Sequence, residues 1–280
     1  GGIAHMAATA ELLKELAQIS LTAEEQKKEI ESFKIRYPDI TPEEAYRAMG
    51  MRLDLAEKKG HRMIGAKLGN TSMAKIAQVR DTMTLEGVKV NADPSYGFLF
   101  EYMPMKPEEI LDLKDLIHPK VETELAFVTN RELYGPDVYS VDVMNATEYV
   151  TPAFEIIDSR FKDFKVGGLT DAVIDNVSSA RFKLGEVKAN PRQIDLANLG
   201  VRTRINGQLV NFGASGAVMG HPARAVSALV RLMYQYLDMP LPAGSIVLSG
   251  AIIPSTFLHP GDMVESEFSE IGSIKLEVTR

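Results

Sequence analysis

The sequence contains no cysteine. Disulfides, thiolate nucleophiles and zinc sites of the cysteine type are therefore excluded. It also lacks a basic run: 31 Lys+Arg stand against 38 Asp+Glu, for a net charge of −7. That balance argues against a nucleic-acid surface, and it means that a small anionic substrate would need local cations. No apolar run approaches the roughly 20 residues of a membrane span. Nothing at the start resembles a signal peptide, so the expected setting is soluble and cytoplasmic, with no membrane partner. Internal repeats and low-complexity segments are missing as well. Residues 1–6, GGIAHM, read as a remnant of recombinant expression.

What the chain does have is enough material for a sizeable core, with 280 residues, 45% of them hydrophobic and 25% charged. From about residue 8 to 60 the patterns are helical. TAEE at 22–25 and TPEE at 41–44 both read as capping boxes, with Thr as N-cap and Glu three residues on. Pro42 then occupies the first helical position, where its missing N–H does no harm. Ala45, Met49, Leu53 and Ala56 give one apolar face. Short strand-like runs follow: MIGAKLG, FLFEYM, VETELAFV, AFEIID, RFKLG and VRTRI. In RINGQLV, Asn206-Gly207 is a strong hairpin signal. A late helix is expected over 222–237, then SIVLSGAII and a closing pair, MVESEF and SIKLEV. The expected fold class is α+β: a helical to α+β N-terminal region over 7–105 and a β-rich mixed-sheet domain over 106–280.

One stretch, KVETELAFV, raises a chemical question. Glu122 and Glu124 point the same way from a strand whose Val121, Leu125 and Phe127 belong in a core, and paired like charges there are costly without a cation. Glu265 and Glu267 in MVESEF repeat the spacing, so spacing alone decides nothing, and that pair reads as a solvated strand face. Glu122 and Glu124 differ because Glu155, in PAFEIIDSR, supplies another carboxylate where a hydrophobe is expected. Three carboxylates and no thiols suit a hard divalent ion, Mg²⁺ or Mn²⁺. Lys67 in IGAKLGNTS either snorkels to the surface or is held for a buried anion, and pattern alone favours snorkelling. His118, His221 and His259 each precede proline and suggest turns and helix starts. GASGAVMG lacks the spacing and the lysine of a phosphate cradle.

Taken in order, IHPKVETELAFV, NATEYVTPAFEIIDSRF, DNVSSARF, GHPARAV, SIVLSGA and IGSIKLEV resemble the hydratase and decarboxylase branch of the fumarylacetoacetate hydrolase superfamily, from about residue 40 onward. The resemblance implies a β-rich catalytic domain with Mg²⁺ or Mn²⁺ on Glu122, Glu124 and Glu155, and Lys67 in the active site. It brings Ser95 and Tyr96 to the catalytic side and Ser249 to the substrate side. Arg160 and Arg181 are candidates for a distal carboxylate, and either could equally be a structural ion pair. Substrates of this branch are 2-oxo or 2-hydroxy dienoates from meta-cleavage of aromatic rings. In the hydratases a segment before the catalytic domain reads Asp-Tyr-Gly or Asp-Phe-Gly. Here it is NADPSYGFLF, with Ser95 in the place of the Asp and Asp93 two residues earlier. Serine is a poor general base. The implied reaction is therefore decarboxylation of the small dicarboxylic 2-oxo acid 2-oxo-3-hexenedioate (4-oxalocrotonate). Alternatives are hydration of 2-hydroxypenta-2,4-dienoate or 2-oxohept-3-enedioate, or a non-catalytic relative. Decarboxylases of the branch tend to work with a partner hydratase; that complex and a homo-oligomer are left open.

Overall fold

The computed structural model describes residues 7–72 and 94–280. Asp93 lies outside the described residues. The N-terminal helices are α1 (Ala10–Gln26), α2 (Phe33–Arg36) and α3 (Pro42–Lys58). α3 begins as its sequence predicts: Thr41 accepts from the Glu44 N–H at 3.2 Å and Glu44 accepts from the Thr41 N–H at 3.0 Å. α1 does not. Its N-cap is Thr9, which accepts from the Leu12 N–H at 3.1 Å, while Thr22 lies near the end of the helix and its hydroxyl accepts from the Gln18 amide at 3.0 Å. Leu13, Leu16, Ala17 and Leu21 are buried on one helical face. That burial carries α1 through the internal capping signal. α1 and α3 pack against each other.

The strands are β1 (Met63–Gly69), β2 (Ser95–Phe100), β3 (Lys120–Thr129), β4 (Thr147–Ile157), β5 (Ser179–Leu184), β6 (Gly200–Ile205), β7 (Gln208–Ala214), β8 (Ile246–Ala251), β9 (Thr256–Phe257), β10 (Met263–Phe268) and β11 (Gly272–Glu277). Between them lie α4 (Ser140–Ala146), α5 (Leu169–Ile174) and α6 (Pro222–Leu237). The first sheet runs β2-β1-β8-β3-β4-β5, with β9 beside β3; the second runs β11-β10-β6-β7. Among the strands of the described residues, only β1 and β8 pair in parallel. β6 and β7 turn at Asn206 and Gly207, with φ of 52° and 81°, as a two-residue hairpin requires.

Alternation along β3 decides what each face does. Thr123, between the two glutamates, points into the space between the sheets, where its hydroxyl meets Ser266 at 2.9 Å and Thr203 at 3.3 Å. Val121, Phe154 and Ile156 of the first sheet pack there on Val264, Ile274 and Leu276 of the second. A larger core joins α1, α3 and α6 to β1, β2, β3 and β8. β1 and β2, which precede residue 105, are thus hydrogen-bonded into one sheet with strands that follow it. Among the described residues no helix is long and apolar enough to cross a membrane.

Candidate active site

Glu122 on β3 stands directly opposite Glu155 on β4, and Glu124 follows two residues on. One carboxylate oxygen from each lies within 4.8 Å of the others. Glu124 and Glu155 are fully buried. Burial pushes the Glu155 carboxyl up to about 7; Lys67 pulls it down, and Glu122 pushes it further up. Burial, then the charges of Glu155 and Glu122, hold Glu124 well above the usual carboxylate range. Glu124 accepts the Gly250 N–H at 3.1 Å. Among the described residues, nothing donates a hydrogen bond to its other oxygen or to either oxygen of Glu155. Buried acceptors left without donors are expensive, and clustered carboxylates repel. A divalent cation would relieve both costs, and an all-oxygen donor set suits one.

Lys67 does not snorkel. It is 2% exposed, its ammonium donates to the Val177 carbonyl at 2.6 Å, and it stands 3.4 Å from Glu155. The buried carboxylate of Glu155 draws the ammonium inward more strongly than water draws it out. The acceptor sits in an unusual turn: Asn176, Val177 and Ser178 have φ of 52°, 51° and 58°, left-handed backbone that is strained for a β-branched residue such as Val177. Asn176 anchors the turn, accepting the Phe98 N–H at 2.7 Å and donating to the Phe98 carbonyl at 3.0 Å. Gly97 must be glycine here, because a Cβ would meet the Asn176 carbonyl oxygen at 2.6 Å. Asp175, Asn176 and the serines of DNVSSARF are turn formers, but nothing in the segment signals a left-handed Val177. Gly250 is equally constrained, with φ of +115° and Thr71 Oγ1 2.0 Å from where its Cβ would be.

The other expected residues divide. Ser95 is opposite Gly69, two residues beyond Lys67 on the same strand face. Tyr96 is opposite Leu68 and points the other way, stacking on Tyr46 at 5.0 Å. Its place is in the core, because alternation turns it away from Lys67. Ser249 is buried and donates to the Leu125 carbonyl at 2.6 Å, which ties β8 to β3. Arg160 is a structural arginine: it donates to the Asp175 carboxylate at 2.8 Å, to the carbonyls of Asp158 and Ser179 at 2.8 Å each, and to that of Asp175 at 2.5 Å. Burial opposes its charge, but Asp175 and Glu24 outweigh that and raise its pKa. Arg181 is opposite Ile156, on the face away from Glu155, and pairs with Glu109 at 2.7 Å. Glu267 and Glu265 form cross-strand ion pairs with Arg202, Arg204 and Lys275 on a half-exposed face, as a solvated pair should.

A buried carboxylate cluster facing a buried lysine across a mixed sheet defines an enzyme built round a divalent cation. Comparison with known proteins narrows the class. The profile of the fumarylacetoacetate (FAA) hydrolase C-terminal family matches residues 105–279. A 4-oxalocrotonate decarboxylase of Pseudomonas sp. (strain CF600) is 38% identical over 238 residues, 85% of this chain and 86% of that protein. A 2-hydroxyhexa-2,4-dienoate hydratase of Comamonas testosteroni is 35% identical over 87% of this chain and 88% of its own. The crystal structure of 4-oxalocrotonate decarboxylase from Pseudomonas putida G7, complexed with magnesium and adipate, superposes with a TM-score of 0.87. It is 34% identical, over 97% of this chain and 99% of that one. The chain belongs to the fumarylacetoacetate hydrolase family.

Proposed function

We propose that the protein is a metal-dependent carboxy-lyase that converts 2-oxo-3-hexenedioate to 2-hydroxypenta-2,4-dienoate and CO₂ in meta-cleavage degradation of aromatics. Glu122, Glu124 and Glu155 hold one Mg²⁺ or Mn²⁺. The observation that carries this reading is the set of three buried carboxylate oxygens without donors, placed beside an inward-turned lysine. When bound, the ion supplies positive charge at the 2-oxo acid end of the substrate and draws electrons along its conjugated chain. The bond to the distal carboxylate breaks, its electron pair moves through the double bond toward the 2-oxygen, and that oxygen takes up one proton. Lys67 is the group assigned to hold or deliver that proton, its amine oriented by Val177.

Ser95 separates this reading from hydration. Hydration of the product requires a base to activate water, and a serine hydroxyl in that position supplies none. The test is to offer 2-oxo-3-hexenedioate and 2-hydroxypenta-2,4-dienoate separately with Mg²⁺ and identify the products. Release of CO₂ from the first and little turnover of the second are expected. Rapid conversion of the second to 4-hydroxy-2-oxopentanoate, with no CO₂ from the first, would overturn the assignment in favour of a hydratase.

A further inference from the structure

A dicarboxylic substrate brings a second negative charge, and both arginines that the sequence offers for it are already paired, Arg160 with Asp175 and Arg181 with Glu109. Lys120 is different. It opens β3 in unbroken register with β4, opposite Ile157, just as Glu122 is opposite Glu155. Alternation therefore puts its side chain on the carboxylate face, about 7 Å along the strand from Glu122. Its ammonium lies 4.2 Å from the centre of the Phe164 ring and 4.6 Å from that of Phe257. Among the described residues no carboxylate forms an ion pair with it. The difference matters physically. An aromatic face attracts a cation and fixes its position while leaving the charge uncancelled, whereas a carboxylate partner would neutralise it.

The cage is itself built at some cost in backbone conformation. Asp163 and Phe164 have φ of 55° and 58°, left-handed backbone that non-glycine residues adopt only under constraint. His118 packs its ring on Phe164 at 5.0 Å, and Phe164 meets Phe257 edge-on at 6.0 Å. A dicarboxylate brings a distal charge of its own, and Lys120 is a cation on the same strand face placed to meet it. A six-carbon chain held at one end by the carboxylate cluster reaches a neighbour two residues along β3.

We propose that Lys120, held between Phe164 and Phe257, receives the distal carboxylate of the substrate and makes the site select dicarboxylic over monocarboxylic 2-oxo acids. This rests on the proposed function for the identity of the chelated end. The contact belongs to the ground state, since the charge it meets leaves as neutral CO₂. It therefore governs binding more than bond breaking. Lys120→Met should raise KM for 2-oxo-3-hexenedioate by about tenfold or more with kcat unchanged or higher.

The decisive measurement uses two unreactive probes that share the 2-oxo acid end, 2-oxohexanedioate and 2-oxohexanoate. Each is titrated into wild type, Lys120→Met and Lys120→Arg with saturating Mg²⁺. Wild type and Lys120→Arg should prefer the diacid by about tenfold or more, and Lys120→Met should lose that preference while binding the monoacid as wild type does. Retention of the preference by Lys120→Met, or its absence from wild type, would overturn the inference. Neither result bears on whether CO₂ is released, so a failure here is distinct from a failure of the proposed reaction.

Discussion

Two pairs of glutamates with the same spacing end in opposite circumstances, and the difference is in what surrounds each side chain. Glu265 and Glu267 have cross-strand cations and water, so Glu265→Gln with Glu267→Gln should leave Mn²⁺ affinity and activity near wild type, whereas Glu122→Gln should lower Mn²⁺ binding at least about tenfold by electron paramagnetic resonance. Equal losses from the two changes would mean that the metal site lies elsewhere. For Lys67→Ala the expected result is a fall in kcat of about a hundredfold or more with Mn²⁺ still bound, because the lysine acts on the substrate proton. Near-normal kcat would remove Lys67 from the chemistry. Arg160 should behave as structure: Arg160→Met leaves Asp175 buried and unpaired, which costs about 3 kcal/mol or more in urea unfolding. A rise in KM with unchanged stability would reinstate it as a substrate ligand.

At the scale of elements, the cap of α3 and the turn at residues 176–178 each allow a contrast. Thr41 closes a capping box, so Thr41→Ala should cost about 1 kcal/mol. Thr22 only accepts a side-chain amide inside α1, and Thr22→Ala should cost less than about half of that. The turn connects an element to the site. Asn176→Ala removes both hydrogen bonds to Phe98 and leaves buried backbone groups unsatisfied, at a cost of about 2 kcal/mol. It also frees the Val177 carbonyl from its place beside Lys67. Stability and kcat should therefore fall together. A loss of stability with kcat intact would show that Lys67 finds its orientation without the turn.

For the whole molecule, the carboxylate cluster is a source of instability that the ion removes. Saturating Mn²⁺ at about a hundred times its Kd should stabilise the wild-type fold by about 2.7 kcal/mol through preferential binding to the native state. Excess EDTA should abolish turnover, and Mg²⁺ or Mn²⁺ should restore it. Glu155→Gln should raise the metal-free melting temperature, since it removes one buried like charge, and should abolish the rise caused by metal. A metal-dependent rise that persists in Glu155→Gln would exclude that residue as a ligand.

The sequence by itself determined the capping box at Thr41, the hairpin at Asn206 and Gly207, the late helix from Pro222 and the strands with their apolar faces. It also brought Glu122, Glu124 and Glu155 forward as a set, because each breaks an apolar pattern that a few neighbours are enough to establish. All of these are short-range regularities, written in spacings of two to four residues. The tertiary structure decided the rest. Whether Lys67 turns in or out depends on Glu155 and on Val177, 110 residues away. Whether Arg160 can meet a substrate depends on Asp175, and whether Tyr96 faces the site depends on Tyr46 in α3. Thr22 caps nothing because the residues before it already bury a helical face. Lys120 lies between two aromatic rings because folding brings Phe164 and Phe257 together from two separate segments. Burial and the identity of a charge's partner belong to the folded neighbourhood, and a linear spacing carries no information about either.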